Sequence, residues 1–85
     1  MLERPFLARY FFHMQTDSRT TDEDGSEFES PTAARAEAIR TCGEMMREAA
    51  DNFWGTRPWS VVVTDAAGLI LWEISMDGYA SPATR

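Results

Sequence analysis

The chain predicts a single small α+β domain, with one long helix packed on one face of a three- or four-stranded, mainly antiparallel sheet. Three observations point there. An alternating aromatic run occupies residues 9–14, a helix-start signal at Ser30 opens an amphipathic stretch, and two β-rich runs flank a turn at residues 65–68. The order is β-(β)-α-β-β over residues 9–76, between a lead-in of residues 1–8 and a tail of residues 77–85.

Pro5 blocks regular structure in the lead-in. Extended backbone over residues 9–14 sets Tyr10, Phe12 and Met14 on one face and Phe11 and His13 on the other. The next ten residues are polar and acidic, and Asp24-Gly25 marks a turn. Residues 26–29 then suit an edge strand returning along the first, since charges there discourage pairing with other chains.

Ser30 is a good N-cap, and Pro31 stands at the first helical position, where its missing N–H costs nothing. Ala38, Ile39, Cys42, Met45, Met46, Ala49, Ala50 and Phe53 recur at helical spacing, which predicts a helix to about Asn52. Gly43 is its soft spot, and Gly55 is suited to stopping it. The β-branched run at residues 59–64 is a strand, and residues 65–68 suit a hairpin turn with Gly68 left-handed. Residues 69–76 return. A regular ladder from that turn sets Thr64 opposite Ile70, Val62 opposite Trp72 and Ser60 opposite Ile74. Val63 then faces Leu71, Val61 faces Glu73, and both hairpin faces are substantially apolar.

Composition narrows the function. Fourteen acidic residues against eight arginines and no lysine give a net charge of −6, which repels phosphate backbones and anionic lipid. No nucleic-acid or membrane partner is expected. The charge-free runs fall far short of the ~20 residues a spanning helix needs. A lone cysteine, Cys42, excludes an internal disulfide, and the opening residues lack the pattern of a signal peptide. A cytoplasmic location follows as the expectation.

The segments Arg9-Tyr10-Phe11-Phe12-His13, Asp22-Glu23-Asp24-Gly25-Ser26-Glu27, Ala33-Ala34-Arg35-Ala36-Glu37-Ala38 and residues 61–68 (VVVTDAAG) follow in order. In this, the chain resembles a family of short bacterial domains of unknown function, over roughly residues 9–76. The resemblance implies a small stand-alone protein and carries over no activity or catalytic residue. A fainter likeness is to antitoxins with a partial ribonuclease-H-like fold, although one of their strands and their proline motif before the helix are missing here. It implies a partner-binding role.

Candidate chemistry is sparse. His13 is the lone histidine, and catalysis there needs a positioned nucleophile or carboxylate beside it. Cys42 sits on the apolar side of the helix, where cysteine behaves as a small hydrophobe. Asp22, Asp24 and Glu27 are weak metal candidates around Gly25, but a full calcium loop needs ligands where Thr20 and Pro31 stand. No phosphate loop, metal motif or serine elbow occurs, so no cofactor is expected and an enzyme is disfavoured.

One helix covers only one face of an apolar hairpin. A non-enzymatic interaction or regulatory module is therefore expected, working as a homodimer or with another protein. Trp59, Val61, Val63, Leu71 and Trp54 are its expected interface. A small-ligand or divalent-metal protein using the acidic turn is the alternative, and an antitoxin-like partner-binding protein is the third reading.

Overall fold

The computed structural model describes residues 7–49 and 51–84. Along them run β1 (Ala8–Gln15), β2 (Arg19–Thr20), β3 (Ser26–Phe28), α1 (Pro31–Arg47), α2 (Phe53–Thr56), β4 (Trp59–Thr64) and β5 (Ile70–Met76). The strands form an antiparallel five-stranded sheet in the order β2-β1-β4-β5, with β3 also paired to β1. The α+β class and element order match the sequence expectation. The two-residue β2 is an addition, hidden in a stretch that reads as acidic loop.

β2 and β3 act as one outer strand with a gap. β2 pairs at Met14 and Gln15, β3 pairs at Ala8 to Tyr10, and the loop 21–25 passes Phe12 between them. The alternation of β1 holds. Tyr10, Phe12 and Met14 face the core, where Phe28 meets Tyr10 and Phe12 edge-on and Tyr10 stacks on Trp72.

α1 starts as its sequence requires. Ser30 is extended, and its hydroxyl oxygen accepts the Ala33 N–H at 3.1 Å, with Pro31 next. The helix ends at Arg47, short of the expected Asn52. Asp51 and Asn52 are poor helix formers, and the break lets Ala49 and Phe53 turn back onto Trp59 in a second small core. Gly55 therefore lies inside α2 instead of terminating α1. Ala34, Ala38 and Cys42 form the buried stripe, and these small side chains bring the helix close to the sheet. Ile39 and Met46, expected in the core, are left on a flank, 59% and 40% exposed.

The hairpin corrects the expected register. Thr64 does face Ile70, but a bulge follows, and Val63 faces Trp72, Val62 faces Glu73, Val61 faces Ile74 and Ser60 faces Ser75. The extra residue is Leu71. Because the side-chain period is two, a one-residue slip exchanges the faces of everything beyond it. Trp72, Ile74 and Met76 join Trp59, Val61 and Val63 on the helix side, while Ser60, Val62, Glu73 and Ser75 share the other. The expectation of two greasy faces is thereby overturned. The face away from α1 carries Phe11, Val62 and Ile70 among His13, Gln15, Ser60, Thr64 and Glu73, a mostly polar set.

Candidate functional site

Two places combine chemistry with access: the polar cluster around His13 and the groove beside β5.

Asp22 lies opposite the gap in the outer strand. One carboxylate oxygen accepts the backbone N–H of Phe12 at 3.0 Å, which no strand partner reaches. The other accepts the N–H groups of Asp24 and Gly25 at 3.2 and 3.0 Å. Burial alone raises its pKa, but the donors from Gly25, Phe12 and Asp24, with His13 adding to them, outweigh this and hold the carboxyl below the usual range. Gly25 has φ +71° and presses on β1. A Cβ there meets Phe11 Cε2 at 2.8 Å and both Arg9 Cγ and the Tyr10 carbonyl oxygen at 2.9 Å. The acidic turn is a clip on β1.

His13 Nε2 lies 3.1 Å from Thr64 Oγ1, and its Nδ1 accepts the Asp22 backbone N–H at 3.2 Å. The three residues look like nucleophile, base and orienting acid, but the hydrogen-bond directions are reversed. An Nδ1 that accepts leaves the proton on Nε2, so the ring donates to Thr64 instead of taking its proton. General-base chemistry needs the opposite tautomer. A shallow cavity of about 430 Å³ opens here, lined among others by His13, Gln15, Ser60, Thr64 and Glu73.

The metal candidates are not assembled. Both Asp22 oxygens are occupied by backbone donors, and Glu27 pairs with Arg9 at 3.2 Å. The Asp24 backbone carbonyl accepts from the Arg9 guanidinium. Among the described residues no group of three or more His, Cys, Asp or Glu side chains could hold a metal ion. Cys42 is buried, and that burial pushes its thiol up, away from reactive thiolate.

The expected interface residues separate. Val61 and Val63 are fully buried beneath α1 and Trp59 is buried against Ala49 and Phe53, so no partner reaches them. That is a correction: Val61 and Val63 pair with Met14 and Phe12, on the core face of β1. Trp54 is exposed, but its ring lies 5.3 Å from the Arg57 guanidinium, which also bonds the Trp54 and Gly78 carbonyls and pairs with Asp77. Leu71 is half-buried at the bulge.

What sequence reasoning missed is the edge. β5 ends the sheet, and among the described residues no strand pairs with its outer side. The Phe12 N–H points away from β4, which makes Phe12–Val63 a non-hydrogen-bonded pair. Val63 therefore bonds to Trp72, and the alternation of an antiparallel ladder turns the N–H groups of Glu73 and Ser75 outward. Beside this edge runs a groove lined by Thr32, Arg35, Ala36, Ile39, Trp72, Glu73 and Ile74, with the Arg35 guanidinium 5.9 Å from the centre of the Trp72 ring. Leu69 and Ile70, at 63% and 60% exposed, lie at the turn end of the hairpin, with Ile70 on the face away from α1. The exposed position of Ile39 at i, i+7 with Met46 was the available signal.

No helix among the described residues is long and apolar enough to cross a membrane. The family model described as domain of unknown function (DUF6894) matches residues 9–77, most of the chain, and the chain belongs to that family. No curated protein and no solved structure matched.

Proposed function

We propose that this chain is a non-enzymatic protein-interaction module that self-associates, serving as a homodimer or small regulatory subunit. The observation that carries it is the open edge of β5. Outward N–H groups at Glu73 and Ser75 run beside an apolar groove in which Ile39 is 59% exposed. Natural sheets cover, shorten or charge such edges, and a seven-residue edge flanked by apolar side chains is suited to strand addition.

A second apolar sheet face plays no part in this proposal. It rests on backbone groups and flanking side chains at one edge. Sedimentation velocity on the wild-type protein from about 1 to 200 μM, bracketing micromolar affinities, should show a dimer that dissociates on dilution. A monomer at every concentration refutes it.

A divalent-metal or small-ligand role at the acidic turn gains no support from the geometry, because its oxygens already hold backbone N–H groups. The antitoxin-like reading rests on sequence pattern alone. A reducing cytoplasm suits the lone, buried Cys42.

A further inference from the structure

We infer that the partner at this edge is a second copy of the chain, added antiparallel through β5 about a two-fold axis at Ile74. The inference rests on the self-association reading and makes it specific.

Charge chooses the register. In antiparallel pairing of identical strands, outward-bonding residues must face one another. An axis at Glu73 sets Glu73 against Glu73, and one at Ser75 sets Glu73 against Asp77, both like-charge oppositions that destabilise a sheet. An axis at Trp72 pairs Ile70 with Ile74, which the bulge places on opposite faces. An axis at Ile74 has neither fault. Glu73 then faces Ser75 of the second copy, Ile74 faces Ile74, and Trp72 faces Met76, so the apolar residues all meet on the helix side.

The helices fit the same axis. α1 runs parallel to β5, since Arg35 lies against Trp72 and Met45 packs in the cluster with Met76. Ile74 is therefore level with the stretch between Ile39 and Gly43. α1 packs against β4 and β5 and also against β3. Two copies joined edge to edge about this axis carry their α1 helices on the same face of the joined sheet, each turning its β5-side flank toward the other.

The surfaces that meet are Ala36, Ile39, Gly43 and Met46, all exposed and spaced three, four and three apart, the pattern of a helix seam. Gly43 gains a reason. A mid-helix glycine is unfavourable, and nothing lies within 4 Å of where its Cβ would stand in the single chain. A helix crossing it uses that space. Arg40, beside the stripe, is already paired with Glu37 at 3.0 Å, so the axis does not oppose bare cations.

Amide hydrogen exchange on the wild-type protein, with sedimentation on the same samples, tests this. At dimer-forming concentration the Glu73 and Ser75 amides should be protected at least tenfold over the dilute monomer, while the Trp72 and Ile74 amides, already bonded to β4, change little. A Cys42→Ala, Ile74→Cys variant should form a disulfide-linked dimer under mild oxidation, and Cys42→Ala, Glu73→Cys should not. A sedimenting dimer whose Glu73 and Ser75 amides stay unprotected overturns this surface and leaves self-association standing. A dimer protected there that links through Glu73→Cys, but not through Ile74→Cys, overturns the register. A monomer throughout overturns both.

Discussion

Replacing Asp22 by alanine removes the clip that closes the gap in the outer strand. The Phe12 N–H, half-buried and bonded to no strand, loses its acceptor, which costs about 1–3 kcal/mol for a donor left unsatisfied. The Asp24 and Gly25 N–H groups lose theirs too, but the loop is open to water, so each adds only about 0.5 kcal/mol. The expected loss is about 2–4 kcal/mol, a large share of the roughly 5–15 kcal/mol typical of domains. Urea unfolding followed by tryptophan fluorescence measures it. Asp22→Asn should fall between, because its amide oxygen still serves the loop while its NH₂ cannot accept from Phe12.

The same variants carry a pH signature. The folded carboxyl is depressed, so on acidification the unfolded chain takes up the proton first. Asp22 contributes its full stabilisation above the unfolded aspartate value of about 3.9 and loses it as pH falls through the lower folded value. The wild-type advantage over Asp22→Asn should shrink below about pH 4. An Asp22→Ala protein within about 0.5 kcal/mol of wild type, the range of ordinary surface changes, refutes the clip.

Gly25→Ala should destabilise by more than about 2 kcal/mol, since φ +71° disfavours a side chain and the new Cβ strikes the Tyr10 carbonyl at 2.9 Å; urea midpoints measure it. Val61→Glu should unfold the chain, not merely dissociate it, because an unpaired charge beneath α1 costs several kcal/mol. A folded monomeric Val61→Glu by circular dichroism and sedimentation contradicts the core assignment. Gly43→Ala should stabilise the dilute monomer by about 1 kcal/mol, and part of that gain should vanish at dimer concentration, where a facing helix meets the added methyl.

Where sequence and structure agree, the signal is local. Ser30-Pro31 marks a cap and a first turn through two residues' own chemistry, and the alternation of Tyr10, Phe12 and Met14 marks a face through strand geometry. The helix end was harder to read. Asp51 and Asn52 oppose continuation only mildly, and what decides the break is Phe53 reaching Trp59, a contact between residues whose meeting depends on the whole fold. His13 is similar. Its role is set by the Asp22 N–H and Thr64, 9 and 51 residues away in the chain, so no reading of neighbours finds it.

The bulge at Leu71 is the point on which the functional reading turns. A regular ladder sets Trp72, Ile74 and Met76 on the face opposite Val61 and Val63, with Val62 and Ser60, and implies a partner lying flat on the sheet. One inserted residue moves all three together to the side beneath α1 and leaves the other face to His13, Gln15, Ser60 and Glu73. The demand for cover does not vanish with that change. It moves to the rim, where Trp72 and Ile74 stay half-buried and Ile39 stands out beside them because the stripe of Ala34, Ala38 and Cys42 took the sheet side of α1. A helix seated on small residues cannot also shield its flank, and an edge strand cannot bond to itself within one chain. Both deficits lie along the same line, at the level of Ile74, where the proposed two-fold copy of the chain would meet them together.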